Sequence, residues 1–132
     1  MNDKQKQIEY WKKTALDDFE AVYLLLSGNK NLQALFFIHL TLEKLIKANW
    51  VKDNTENFPP KTHNLIYLYN NCKSLNLTES ETDFLQMMNS FQLEGRYPDY
   101  VNQLYNSVNK QKVEQIITES KPIIECLINN LQ

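Results

Sequence analysis

Glycine is scarce in this chain: Gly28 and Gly95 are the only two among 132 residues. A β-sheet protein of this size needs many tight turns, and most of them require the positive φ angles that glycine adopts most easily. The hydrophobic share of 42% and the charged share of 23% match soluble globular proteins, so disorder is not expected. The composition therefore predicts a folded and mainly helical protein.

The spacing of apolar residues predicts two long helices in the first part of the chain. In the first, expected from Asp3 to Ser27, apolar side chains recur every three or four residues and form one stripe. Gly28 is the expected C′ residue, just beyond the end of this helix. The next segment, Leu32 to Val51, is apolar over most of the helical circumference, which is typical of a central helix in a bundle.

Capping residues predict where the next two helices begin. Thr62 is the expected N-cap of a third helix that ends near Asn71–Ser74. Thr78 and Glu81 have the spacing of a capping box, in which each side chain accepts from the other residue's backbone N–H. They therefore predict the start of a fourth helix.

The remaining boundaries follow from glycine and proline. The stretch from Gly95 to Asn102, which contains Pro98, predicts a break, and the last long helix is expected to kink or stop at Pro122. Five helical segments with short connections predict an all-α fold, an antiparallel four- to five-helix up-and-down bundle. We expect a single domain over residues 1–132.

Charge and cysteine usage exclude several classes of function. The net charge is −2 and the pI about 5.7, so general binding to a nucleic-acid backbone is not expected. Cys72 and Cys126 belong to no CxxC pattern, which argues against zinc and disulfides and favours reduced thiols. The most apolar stretch, Ala34 to Leu45, is too short to span a membrane. With no apolar signal segment at the start, we expect a cytoplasmic protein without membrane, metal or cofactor.

No complete catalytic constellation is visible in the sequence. The only histidines are His39 and His63, and neither follows a glutamate by three residues, so the di-metal motif of helical bundles is absent. Two glycines cannot form a glycine-rich phosphate loop. We therefore assign no catalytic residue from the sequence.

A line of polar residues at four-residue spacing runs along the apolar helix: His39, Glu43 and Lys47, with Lys44 adjacent. One interpretation is an exposed strip on which Glu43 and Lys47 form a favourable ion pair. The other is a polar line that faces a groove between helices.

The second candidate segment is Glu94-Gly95-Arg96-Tyr97-Pro98-Asp99-Tyr100. Arg96 is the only arginine, and its guanidinium suits bidentate contact with phosphate or carboxylate. The flanking tyrosines have rings that can stack on a base. The alternative is structural, with Arg96 paired to Asp99 or a helix carboxylate so that it holds the loop in place.

Four motifs, taken in order, carry a family resemblance over nearly the whole chain. They are Trp11-x-x-x-Ala15-x-x-Asp18-Phe19 followed by Phe37, then Glu43-Lys44-x-x-Lys47-Ala48, then Lys61-Thr62-His63-x-Leu65, and finally Arg96-Tyr97-Pro98-Asp99. In this order and spacing they resemble a HEPN domain (higher eukaryotes and prokaryotes nucleotide-binding). The resemblance implies a helical bundle, a homodimer, and a nucleotide or RNA ligand. It also implies a small nucleotidyltransferase as a candidate partner, as in toxin–antitoxin pairs.

Members of the family that cleave RNA carry an Arg-x4–6-His motif, and this chain departs from it. The positions where the histidine would fall are Val101, Asn102 and Gln103, and no histidine follows His63. We therefore expect a module that binds rather than cuts. The alternatives are a ribonuclease toxin with a rearranged site that uses His63, and a pure protein-interaction module.

The predicted ligand-binding residues combine both candidate segments with His63. Arg96 is expected to contact phosphate, Tyr97 or Tyr100 to stack on a base, and Lys44 or Lys47 to add positive charge. The full predicted set is Arg96, Tyr97, Asp99, Tyr100, Lys44, Lys47, His39, Glu43 and His63.

Overall fold

The computed structural model describes residues 1–132 and is entirely helical, as predicted. Its helices are α1 (Asp3–Ser27), α2 (Asn31–Asp53), α3 (Leu65–Asn70), α4 (Glu79–Met88), α5 (Pro98–Ser107) and α6 (Lys110–Asn129), with a 3₁₀ turn at Asn89–Phe91. None of these helices has both the length and the apolar character that crossing a membrane requires.

The two longest helices, α1 and α2, form an antiparallel pair. Only three residues separate them, and they pack along much of their length. The ends confirm the direction, because Lys4 Nζ at the start of α1 donates to the carbonyl oxygens of Val51 (2.7 Å) and Asn54 (2.6 Å) at the end of α2. This pair is the frame on which the other helices pack.

Helix α2 is the centre of the hydrophobic core, as its apolar circumference predicts. Leu35, Ile38, Leu42 and Leu45 are fully buried, and each contributes roughly 1.5–3 kcal/mol by leaving water. Side chains of α1, α3, α4 and α6 join the same cluster. Because α2 is contacted from several sides, even the polar residues along it are taken out of water.

Two predicted boundaries near α3 need correction. Asn64, not Thr62, caps the helix, since its Oδ1 accepts from the backbone N–H of Ile66 (3.0 Å) and of Tyr67 (3.2 Å). Thr62 lies two residues earlier, where its Oγ1 accepts from Asn64 N–H at 3.2 Å. The helix then ends at Asn70, slightly before the predicted stretch. The capping box that begins α4 is confirmed, with both reciprocal hydrogen bonds of Thr78 and Glu81 present.

The predicted break from Gly95 to Asn102 is wrong in its second half. Pro98 begins α5, because its fixed φ and missing N–H suit the first turn of a helix. The actual break lies before it and contains Gly95 at φ 75°. Helix α5 was not predicted, and the predicted last helix corresponds to α6, which continues through Pro122 to Asn129 instead of stopping there.

Candidate functional site

Glu43 is a buried carboxylate surrounded by His39, Lys47 and His63. Only 4% of the residue is exposed, and its carboxylate accepts from Lys47 Nζ at 2.8 Å and from His63 Nδ1 at 2.9 Å. The four-residue spacing places His39, Glu43 and Lys47 on one line of α2, but that line faces the interior. The interpretation as an exposed strip is therefore wrong.

His39 lies fully buried beside Glu43 and is neutral at neutral pH. Burial lowers the pKa of His39 from 6.5 to about 4; Glu43, the Asn89 side chain and the His63 backbone act in the opposite direction, and the His63 charge adds to the lowering. Neither ring nitrogen has a hydrogen-bond partner of good geometry. His39 is thus an uncharged imidazole, and it supplies no positive charge for a ligand.

The two lysines of this region are already paired within the chain. Lys47 Nζ binds Glu43 and lies 5.3 Å from the ring centroid of Trp11. Lys44 Nζ lies 2.6 Å from Asp18 Oδ2, on the side of α2 that faces α1. Neither lysine lines the polar pocket described below.

His63 connects the buried carboxylate to the surface. It lies just before α3, with Nδ1 at Glu43 and Nε2 at 3.0 Å from Glu94 Oε2. The side chains of His63 and Glu94 are 45% and 62% exposed. An imidazole that donates to a carboxylate from each nitrogen does so only in its protonated form. The Glu94 partner is therefore at the surface, whereas the Glu43 partner is buried.

Arg96 is held by backbone carbonyls and an aromatic ring. Its Nε donates to Gln92 O at 3.0 Å and its Nη2 to Asn89 O at 3.4 Å. The guanidinium lies 4.5 Å from the ring centroid of Tyr100, whose hydroxyl donates to Ser90 O at 2.6 Å. The expected pairing of Arg96 with Asp99 or a helix carboxylate is not present. The positive charge of Arg96 is therefore not neutralised by the chain.

Arg96 and His63 line one pocket of about 260 Å³, here called the Arg96 pocket. Its lining contains only polar side chains and no carboxylate: His63, Asn64, Gln86, Asn89, Gln92 and Arg96. Gln92 is 7% exposed, and its Nε2 has no hydrogen-bond partner. A buried amide donor without a partner carries an energetic penalty. A guanidinium without a carboxylate partner and an unpaired amide therefore belong to one pocket lining.

Tyr97 and Asp99 lie outside this lining. Tyr97 is 83% exposed, and both residues are at the start of α5 beside Arg96 in the chain. Tyr100 lies behind the guanidinium, so of the two tyrosines Tyr97 has the ring that is free to stack.

Other forms of site chemistry have little support in the structure. No group of three or more His, Cys, Asp or Glu side chains is placed to hold a metal ion. Burial, with a smaller effect from Asp53, raises the pKa of the Cys72 thiol to about 12, so this thiol is not an activated nucleophile.

The link between Glu43 and His63 was not predicted from the sequence. The two residues are 20 positions apart and no periodic pattern relates them. The available signal was a carboxylate on a helix that is apolar nearly all round, because a buried carboxylate requires charged or donor partners from elsewhere.

The family model described as HEPN domain matches residues 8–131. The chain belongs to the HEPN family. It is therefore a nucleotide- or RNA-related module at the level of the family. No curated protein and no solved structure matches the chain. In this HEPN domain the positions that follow Arg96 by five to seven residues are on α5 and lack histidine, while the imidazole beside Arg96 comes from the segment before α3.

Proposed function

We propose that this HEPN domain binds a phosphate group of a nucleotide or an RNA end in the Arg96 pocket. The observation that carries the proposal is that Arg96 has no carboxylate partner and shares its pocket with the unpaired amide of Gln92. A guanidinium and a neutral amide donor together match the acceptor oxygens of phosphate.

The Arg96 side chain is also preorganised for a ligand. Two backbone carbonyls and the Tyr100 ring fix the Arg96 side chain, so binding would immobilise little additional side-chain freedom. The exposed ring of Tyr97 offers a surface on which a base attached to the phosphate would stack, worth about 1–3 kcal/mol. Because the net charge of the chain is −2, affinity would come from this pocket and not from a broad positive surface.

Replacing Arg96 is expected to weaken phosphate binding by about 10- to 100-fold, since a hydrogen bond to a charged group is worth about 1.5–3 kcal/mol. ATP, GTP and a short RNA with a 5′-phosphate are titrated against wild type and Arg96→Ala by fluorescence anisotropy. Lys110→Ala, which removes an exposed lysine at the start of α6, is the control and should bind as wild type. Negligible binding to all three ligands by wild type, or equal binding by Arg96→Ala, would reject the proposal.

The pair of Glu43 and His63 supports a second candidate function, metal-independent RNA cleavage. Its geometry, an imidazole oriented by a buried carboxylate, is the usual arrangement of a general base. With Glu94 turned away, Nε2 of neutral His63 would accept the proton of a 2′-hydroxyl that attacks the adjacent phosphorus, while Arg96 would stabilise the developing negative charge. The leaving 5′-oxygen would then take up a proton, from His63 or from water.

For this second candidate, incubation of RNA with the protein in the presence of a chelator should give products that end in a cyclic 2′,3′-phosphate. His63→Ala and His63→Asn should both abolish cleavage, because neither side chain exchanges a proton near neutral pH. Intact RNA at high protein concentration would reject the ribonuclease and leave the binding proposal standing.

We also propose that the HEPN domain acts in the cytoplasm as a homodimer and with a small nucleotidyltransferase, in a toxin–antitoxin-type pair. Membership of the HEPN family and the exposure of α5 support this. Helix α5 has no buried residue, and Tyr97 and Tyr105 are 83% and 56% exposed, as interface anchors are before a partner covers them. Light scattering of the purified protein and inspection of the neighbouring reading frame test the two partners separately. If these surfaces serve only partners, the domain is a pure interaction module.

A further inference from the structure

A cavity of about 580 Å³ lies between α4 and α6, and the proposed function does not use it. Phe84, Met87 and Ile123 form its apolar floor, and Glu81, Asp83 and Glu119 stand around it. It shares no lining residue with the Arg96 pocket. We call it the α4–α6 groove.

The groove exists because its two helices pack on different parts of the fold. Helix α4 packs mainly against α3 and the 3₁₀ turn, whereas α6 packs mainly against α2 and also against α1. Phe84 and Ile123 belong to the hydrophobic core, and Met87 is partly buried against it. One edge of the core is therefore open between α4 and α6, in the position that a further helix of a bundle would cover.

The rim of the groove carries unbalanced negative charge. Glu81 Oε1 accepts from Thr78 N–H at 2.9 Å and Glu119 Oε1 from Gln115 Nε2 at 3.1 Å, but neither these two carboxylates nor that of Asp83 forms an ion pair within the chain. The nearest lysine on α6, Lys121, extends toward α1, where its Nζ lies 5.8 Å from the Tyr23 ring centroid. Pro122 adds one more hydrogen-bond acceptor to this side of α6. It has no N–H, so it cannot donate to the Thr118 carbonyl one turn earlier.

We propose that the α4–α6 groove docks an amphipathic helix of a partner protein, with an apolar stripe flanked by lysine or arginine. Helix-in-groove recognition places the apolar stripe on the floor and the flanking residues at the rim. Basic residues on both sides of the stripe would neutralise the three carboxylates and extend their aliphatic stems over the apolar surface. An RNA ligand is disfavoured here because its phosphates would meet this acidic rim.

The test uses a labelled amphipathic peptide of about 18 residues, long enough to be helical in the bound state, with a leucine stripe and flanking lysines. Anisotropy should show saturable one-to-one binding to the full chain. The double variant Asp83→Lys/Glu119→Lys should weaken binding at least about tenfold, because two attractive contacts become repulsive. The control Glu9→Lys, an exposed site on α1, reverses one charge outside the groove and should bind as wild type.

Further measurements separate peptide docking in the groove from nonspecific binding and from self-association. Met87→Gln changes the floor without adding charge, and it should also weaken the peptide; it keeps the test valid if the double variant fails to fold. A peptide with glutamates in place of the lysines should not bind. Equal binding of the two peptides, equal loss in Glu9→Lys, or no saturable binding would overturn the proposal. The proposal would also be overturned if the chain associates with itself, the charge reversal abolishes that association and the peptide does not compete with it. The occupant of the groove would then be a second copy of the chain.

Discussion

Acidification from about pH 7 to about pH 4 should lower the free energy of unfolding by about 3 kcal/mol through His39 alone. The pKa of His39 is 6.5 in the unfolded chain and about 4 in the folded protein, because the buried ring cannot be hydrated when charged. Between these two values the unfolded state binds more protons than the folded state. The His39 contribution is therefore fully present above pH 6.5 and is lost as the pH falls toward 4.

The measurement is urea unfolding at several pH values, compared between wild type and His39→Phe. The phenyl ring resembles imidazole in shape but does not titrate, so the variant should lack this part of the pH dependence. The charged groups that face His39 are Glu43 and His63, and both remain in the variant. The difference between the two proteins therefore reports His39 together with its coupling to these two groups. An identical loss of stability on acidification in both proteins would show that His39 is not responsible.

Glu43→Ala should destabilise the protein by about 3–5 kcal/mol at neutral pH, the usual effect of removing one partner from a buried ion pair. Lys47 is 6% exposed and would lose its carboxylate partner, and His63 would lose the acceptor of its Nδ1. Urea denaturation followed by circular dichroism measures the change.

Two further variants separate the charge effect from simple loss of volume. Glu43→Leu/Lys47→Leu removes both charges and fills the space, so it should regain most of the lost stability. Asp18→Ala breaks the partly exposed pair with Lys44, where the side chains are 16% and 23% exposed, and should cost about 1 kcal/mol or less. A loss below about 1 kcal/mol in Glu43→Ala would contradict the burial of an energetically important pair.

Local signals in the sequence were sufficient where the structure depends on local contacts. The stripe on α1 and the Thr78–Glu81 capping box are defined within a few residues of chain, and both predictions are confirmed. The start of α3 depends on a distant residue. Asn89 Oδ1 accepts from Leu65 N–H at 3.0 Å, and its Nδ2 donates to the Asn64 side chain at 3.2 Å. That contact fixes Asn64 as the cap. Because Asn89 is 25 residues away, the local sequence around Thr62 does not indicate it.

The same distinction applies to the candidate site. Arg96 could be identified from the sequence because it is the only arginine and lies beside a helix-breaking segment. Four-residue spacing placed His39, Glu43 and Lys47 on one line of a helix, but spacing does not say what covers that line. Their burial, and the position of His63 beside Arg96, depend on how α3 and the 3₁₀ turn pack against α2.

One consequence of the Glu43–His63 contact concerns how the surface and the core of this HEPN domain are linked. The imidazole of His63 lines the Arg96 pocket and also donates to a carboxylate inside the bundle. A ligand that pulls the ring outward removes a donor from that carboxylate, whereas a ligand that accepts only from Nε2 leaves the donor in place. At equal concentration, a ligand that pulls the ring outward should therefore bind more weakly and raise the Tm less than an otherwise similar ligand that leaves the donor in place.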